Sequence, residues 1–208
     1  MESDNQHHED YGWTSASAQE VHAYILPAII SFLPPGKLKI LDAGCGNGYI
    51  AAELASLGHD LVGVDASSDG IELARLANPN VRYEIRSVYD DLRDLANDVD
   101  VVVSSEVIEH LYYPQRFLRN VHGLIKNGGS LILTTPYHGY LKNLALSAFN
   151  AWDQHHTVAW EGGHIKFFSE RTLSDMLIES GYKDVVYNNS GRVRWLWKSM
   201  VCRARVSR

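Results

Sequence analysis

The feature that most constrains this chain is a regular alternation of two kinds of segment. Short apolar runs occur at Leu38–Leu41, Leu61–Val64, Val81–Ile85, Val99–Val103 and Ser130–Thr134. Between them lie stretches with helical periodicity, at Tyr49–Leu57, Ser68–Ala77, Asp90–Ala96 and Pro114–Ile125. Runs this short, rich in β-branched residues, read as strands. Parallel neighbours cannot be joined by a tight turn and need a crossover, usually a helix. The alternation therefore predicts an α/β fold, a doubly wound and mostly parallel sheet with helices on both faces. Two further runs, Asp184–Tyr187 and Trp197–Ala204, have no helix between them. They predict an antiparallel last strand pair, bringing the sheet to seven strands with one reversed edge.

The flanking segments are less regular. Residues 1–16 are polar and predict a mobile arm. From Ser17 to Leu33, Val21, Tyr24, Ile25, Ala28, Ile29 and Phe32 recur at helical spacing, with a kink expected at Pro27 and a stop at Pro34-Pro35-Gly36. Residues 136–168 are rich in aromatics and histidine without clean periodicity, which predicts an insertion lying over the strand ends as a lid. A helix follows over Ser169–Ser180, with Ser169 as N-cap and Gly181 as stop. At 208 residues this is one domain.

Composition excludes several classes of protein. No apolar run approaches the roughly 20 residues that span a bilayer. The start is acidic and histidine-bearing, unlike a secretory signal. Cys45 and Cys202 have no metal-type spacing and build no disulfide framework, which favours a reducing, cytoplasmic setting. A net charge of −6 opposes a nucleic-acid partner. One basic cluster stands against that, formed by Arg192, Arg194, Lys198, Arg203, Arg205 and Arg208 with Trp195 and Trp197 interleaved. It reads as an exposed loop followed by an edge strand, with a binding patch as the alternative.

The sharpest local signal is Leu41-Asp42-Ala43-Gly44-Cys45-Gly46-Asn47-Gly48, between the first strand and a helix. Glycines let the backbone turn tightly and approach a ligand, and ligands of open α/β sheets bind at carboxyl ends of strands. The Gly-x-Gly-x-Gly spacing is not that of a dinucleotide fold, and no Gly-Lys-Ser/Thr follows. Asp65 closes the second strand, where a carboxylate can accept hydrogen bonds from both hydroxyls of a ribose. Its alternative role is a helix cap, for which Ser67 and Ser68 are also available.

These residues resemble the first motif and the strand-end acid of class I S-adenosylmethionine-dependent methyltransferases, and the element order matches from about Leu38 to Arg203. The resemblance implies S-adenosylmethionine as cofactor. It implies that Gly44, Gly46 and Gly48 line its methionine side, that Asp42 fixes its amino group through the loop, and that Asp65, with Ala66 beside it, holds the ribose. Ser87, Val88 and Tyr89 fall where the family contacts adenine, although many members carry an acid at the position of Ser87. Ser105 and Glu106, at the end of the fourth strand, complete the implied cofactor contacts.

The fourth strand leads into Ser104-Ser105-Glu106-Val107-Ile108-Glu109-His110. On a helical turn, Glu106, Glu109 and His110 would share a face. Oxygen and imidazole donors together suit a divalent metal such as Mg, Mn or Zn. A single residue anchoring the turn is the alternative. The segment also resembles the Glu-x-x-Glu-His stretch of the ubiquinone-biosynthesis O-methyltransferases and of the small-RNA 3′-end 2′-O-methyltransferases. That likeness implies a metal held by Glu106, Glu109 and His110, with His164 of Gly162-Gly163-His164 as fourth ligand. His110 and His164 are also the candidates for removing a proton from an acceptor hydroxyl. His155 and His156 read as polar residues of an exposed insertion.

The expectation is an O-methyltransferase acting on a small-molecule acceptor, with Tyr11, Trp13, Tyr137, Tyr140, Trp152 and Trp160 as flat pocket walls. Methylation of an RNA 3′ end and a non-catalytic cofactor-binding scaffold are the rivals. Oligomeric state is not legible in the sequence.

Overall fold

A computed structural model describes residues 12–156, 162–193 and 196–208. The expected alternation is present as β1 (Lys39–Ala43), α2 (Tyr49–Ser56), β2 (Asp60–Asp65), α3 (Ser68–Ala77), β3 (Arg82–Ile85), β4 (Val99–Ser105), α4 (Pro114–Leu124) and β5 (Ile125–Pro136), preceded by α1 (His22–Phe32). The chain continues through α5 (Tyr140–Ala148), α6 (Trp152–His156), α7 (Glu170–Glu179), β6 (Tyr182–Tyr187) and β7 (Ser199–Val206).

The seven strands form one sheet in the order β3-β2-β1-β4-β5-β7-β6. β1 pairs in parallel with both β2 and β4, and β7 pairs antiparallel with both β5 and β6. Strand order therefore reverses between β1 and β4, which opens a crevice at their carboxyl ends. Strand side chains alternate between two cores. Ile40, Val101, Val103, Ile132 and Val201 pack with α1, α2 and α3, whereas Leu41, Val102, Leu131, Leu133 and Cys202 pack with α4 and α7. Burial on both faces explains why these strands read as continuous apolar runs.

Several expectations need correcting. α1 begins at His22 rather than Ser17, because the carbonyls of Ser15 and Ser17 are taken by the Asn47 side chain. Asp90–Ala96 is not a helix. One turn closes from Ala96 to Leu92, while Asp91 Oδ1 accepts from the Arg93 N–H and holds the chain off helical pairing. Trp197–Ala204 is no edge strand. β7 runs between β5 and β6, and β6 forms the edge.

The basic cluster there is dispersed. Arg203 stacks over Phe32, and Arg208 donates to the carbonyls of His122, Gly123 and Ile125 at the end of α4. Arg194 and Trp195 lie outside the described residues. Among the described residues, the expected insertion holds two helices, of which α5 buries no residue at all. Ser169 caps α7 through a reciprocal box with Thr172, and Gly181 ends the turn after it at φ +96°. Among the described residues, no helix is long and apolar enough to cross a membrane.

Candidate active site

The glycine loop follows β1 at its carboxyl end, and Gly44 lies against Val107, just past β4. Gly44, Gly46 and Gly48 all adopt positive φ, a region that side-chain-bearing residues rarely enter. Asp65 fastens the loop from the neighbouring strand end, its Oδ2 accepting from the Gly46 N–H at 2.8 Å and its Oδ1 from the Ser67 N–H at 2.8 Å. The cap of α3 is Ser67, whose hydroxyl accepts from the Gly70 N–H, so Asp65 is not spent as the helix cap. Tyr83, from β3, supports the loop from below through a hydroxyl bond to the Gly48 carbonyl at 3.2 Å.

Asp42 is 1% exposed, and neither carboxylate oxygen finds a hydrogen-bond partner of normal geometry among the described residues. Burial, reinforced by the charge of Asp65, pushes its carboxyl up to about 7. A buried orphan acid beside a glycine loop is poised for a cationic or hydrogen-donating ligand group.

Past β3, the Ser87 hydroxyl accepts from the Tyr89 N–H, and Asp90 accepts from the Ser87 N–H. This turn presents Val88 to the core and lays Tyr89 between Tyr113 and Arg116. Ala66 directly follows Asp65 at the end of β2.

The acidic segment after β4 departs from a helical turn. Ile108–His110 is a single 3-10 turn, and Glu106 has φ +54°. The i, i+3, i+4 face therefore does not form. Glu106 turns back to the sheet, where its Oε1 accepts from the Thr134 hydroxyl at 2.8 Å and its N–H donates to the same residue. Burial pushes this carboxyl up to about 7, against the Thr134 bond and the charges of Lys142 and Lys198. The buried Ser105 hydroxyl has no hydrogen-bond partner among the described residues.

Glu109, His110 and His164 do come together. One donor atom from each lies within 4.8 Å of the others, and the two imidazole rings meet edge-on at 4.9 Å. Backbone pairing brings the distant segment in, since the Glu109 carbonyl accepts from the N–H groups of both Ile165 and Lys166. Glu109 is fully buried. Its Oε2 accepts from the Thr135 hydroxyl and its Oε1 has no hydrogen-bond partner among the described residues. Burial and the nearby charge of Glu106 raise its carboxyl well above the usual range. Burial holds the His110 imidazole below its ordinary value. His110 Nδ1 meets the Gly163 carbonyl at 3.3 Å, a contact that the Nδ1–H tautomer satisfies because a carbonyl only accepts, and His110 Nε2 faces Glu109 Oε1 at 4.0 Å. Glu106 is thus the one member of the expected foursome that does not join the group.

The expected aromatic walls divide. Tyr137 packs edge-on against Trp197, and Trp152 stacks near His156, whereas Tyr140 is largely exposed. Tyr11 and Trp160 lie outside the described residues, as does the side chain of His155. His156 is not exposed as expected. α6 turns it inward against His138 and Phe167.

A family model described as "Methyltransferase domain" matches residues 17–187. The chain belongs to the methyltransferase-domain family. It is 31% identical over 180 residues to the mitochondrial ubiquinone biosynthesis O-methyltransferase of Rattus norvegicus, covering 77% of this chain and 52% of that one. It is 30% identical over 176 residues to the ubiquinone biosynthesis O-methyltransferase of Ruegeria pomeroyi, covering 79% and 68%. The chain thus spans about half the length of the mitochondrial relative and about two thirds of the bacterial one. Among solved structures, the magnesium protoporphyrin IX methyltransferase of Synechocystis PCC 6803 with bound S-adenosylhomocysteine superposes with a TM-score of 0.67 at 17% identity, covering 88% of this chain and 80% of that one. The fold is that of the class I S-adenosylmethionine-dependent methyltransferases.

Proposed function

We propose that this chain transfers a methyl group from S-adenosylmethionine to a hydroxyl of a small molecule. The observation that carries the reading is the meeting of Glu109, His110 and His164 at the carboxyl end of β4, beside the glycine loop. Asp65 would hold the ribose and Asp42 the amino group, with Gly44, Gly46 and Gly48 along the methionine chain. Ala66, Ser87, Val88 and Tyr89 would flank the adenosine, and Ser105 and Glu106 the floor beneath the transferred methyl. The acceptor oxygen attacks the methyl carbon in line, the carbon–sulfur bond breaks with its electrons going to sulfur, and the hydroxyl proton passes to an imidazole. A neutral His110 protonated on Nδ1 would offer the Nε2 lone pair for that last role, and His164 lies against it. Alignment supplies most of the remaining rate. The names of the relatives support oxygen as the acceptor atom. Residues 136–168 would cover the acceptor.

The same three side chains fit a divalent cation, since Glu109 Oε1, without a hydrogen-bond partner among the described residues, joins two imidazoles in a mixed donor set. Such an ion would lower the pKa of the acceptor hydroxyl. Transfer of labelled methyl to a panel of phenolic, sugar and quinol acceptors tests the reading. His110→Ala is expected to cut turnover by at least about 10²-fold while S-adenosylhomocysteine still binds. Full activity of His110→Ala and His164→Ala alike would overturn it. Loss of activity with a chelator, restored by Mg, Mn or Zn, assigns the three groups to a metal. Indifference to the chelator leaves the imidazoles as the proton acceptors.

A further inference from the structure

We propose that residues 12–18 form a strap that closes the cofactor site, with Trp13 as its covering wall and Asn47 as the positioning residue that holds it. The proposal rests on the cofactor reading above. Asn47 is one of the two non-glycine residues of the Gly44–Gly48 loop, and it is 2% exposed. Its side-chain amide donates to the Ser15 carbonyl at 2.9 Å and to the Ser17 carbonyl at 3.1 Å. Both amide hydrogens of a loop residue are therefore committed to a segment about thirty positions away in sequence. Its Oδ1 accepts from the Tyr49 N–H and so fixes the amide plane.

The Trp13 indole sits in a notch left by two missing side chains. A Cβ on Gly46 would lie 2.6 Å from Trp13 Cζ2, and one on Gly70 would lie 3.0 Å from Trp13 Cδ1. Gly46 is also the residue whose N–H is bound by Asp65. The indole thus rests on the point where the loop is tied to the strand-end acid, and the strap lies over the cofactor cradle. Apart from Trp13 and Ala16, the strap residues are exposed. A segment with so little buried surface opens at low free-energy cost, which suits a cover that must release product.

The experiment is stopped-flow displacement of S-adenosylhomocysteine from the full chain. Trp13→Ala and Asn47→Ala are each expected to speed dissociation by about 3- to 10-fold, the range that loss of one aromatic contact allows. Trp13→Phe should recover part of the loss. Because both residues act on one strap, the double variant should dissociate no faster than the faster single variant. A purely structural role would lower the thermal midpoint and leave the dissociation rate alone, which would overturn the strap. Multiplying effects in the double variant would overturn the coupling between the two residues. If Asn47→Ala fails to fold, the half-exposed Trp13 still allows the rate to be read. A parent chain that does not bind S-adenosylhomocysteine would overturn the cofactor reading itself, whereas normal binding with unchanged rates overturns the strap alone.

Discussion

If Asp42 receives the cofactor's amino group as proposed, this one buried side chain couples ligand binding to pH. An aspartate in an unfolded chain titrates near pH 4, whereas burial and the Asp65 charge push Asp42 up to about 7. Between those values the native state carries a proton that the unfolded chain has lost, so this group makes the ligand-free protein less stable as pH rises across the window. A cationic amino group seated against Asp42 favours the ionised form and expels that proton. Affinity for S-adenosylhomocysteine should therefore rise between pH 6 and pH 8, by up to about 10-fold for one unit of the shift. Calorimetry in buffers of different ionisation enthalpy should register proton release near pH 6. Asp42→Asn should flatten the profile, and a flat profile in the parent chain would remove Asp42 from the site. At this scale the sequence was only partly legible. The glycines and Asp65 announce themselves by spacing, whereas the departure of Glu106 depends on a positive φ and on Thr134, twenty-eight residues away. Asn47 had a signal in hindsight, as a buried-type loop position filled by an amide with two donors to satisfy.

Among the elements, the long amphipathic helices and the buried strands were readable, because period and burial agree there. Failures fell on short pieces. Asp90–Ala96 has helical spacing but only seven residues, and the side chain of Asp91 competes for the backbone. Family likeness alone places the 3-10 turn Ile108–His110 and the segment after Gly163 in a common site, and what joins them is backbone pairing that no local pattern reveals. That pairing has a measurable consequence. The N–H groups of Ile165 and Lys166 donate to one carbonyl beneath a buried carboxylate, whereas α5 buries no residue. Hydrogen exchange should be slow at Ile165 and Lys166 and fast across Tyr140–Ala148. Equal rates would mean that the segment bearing His164 is not held against the 3-10 turn.

For the whole molecule, the parallel half of the sheet follows from alternation and the handedness of crossovers, which leave few topologies open. The placement of β7 does not follow, since an antiparallel strand can add at an edge or slip between neighbours and keep the same local pattern. Its position between β5 and β6 bears on how the protein is made in a cell. β5 has seven register partners on β7, from Ser130 opposite Arg205 to Pro136 opposite Ser199. While a ribosome is still translating, β5 is complete long before residues 199–206 emerge, and its outer edge stays unpaired in the nascent chain. An apolar open edge is a template for pairing with another chain. Chains stopped before Ser199 should collect in the insoluble fraction, and a synthetic peptide of the β7 sequence supplied in trans should restore part of the soluble yield. Soluble chains without it would show that β6 can close the gap alone. Otherwise β7 acts as a quality checkpoint, because a chain that lacks it keeps a sticky seam that chaperones and proteases can recognise.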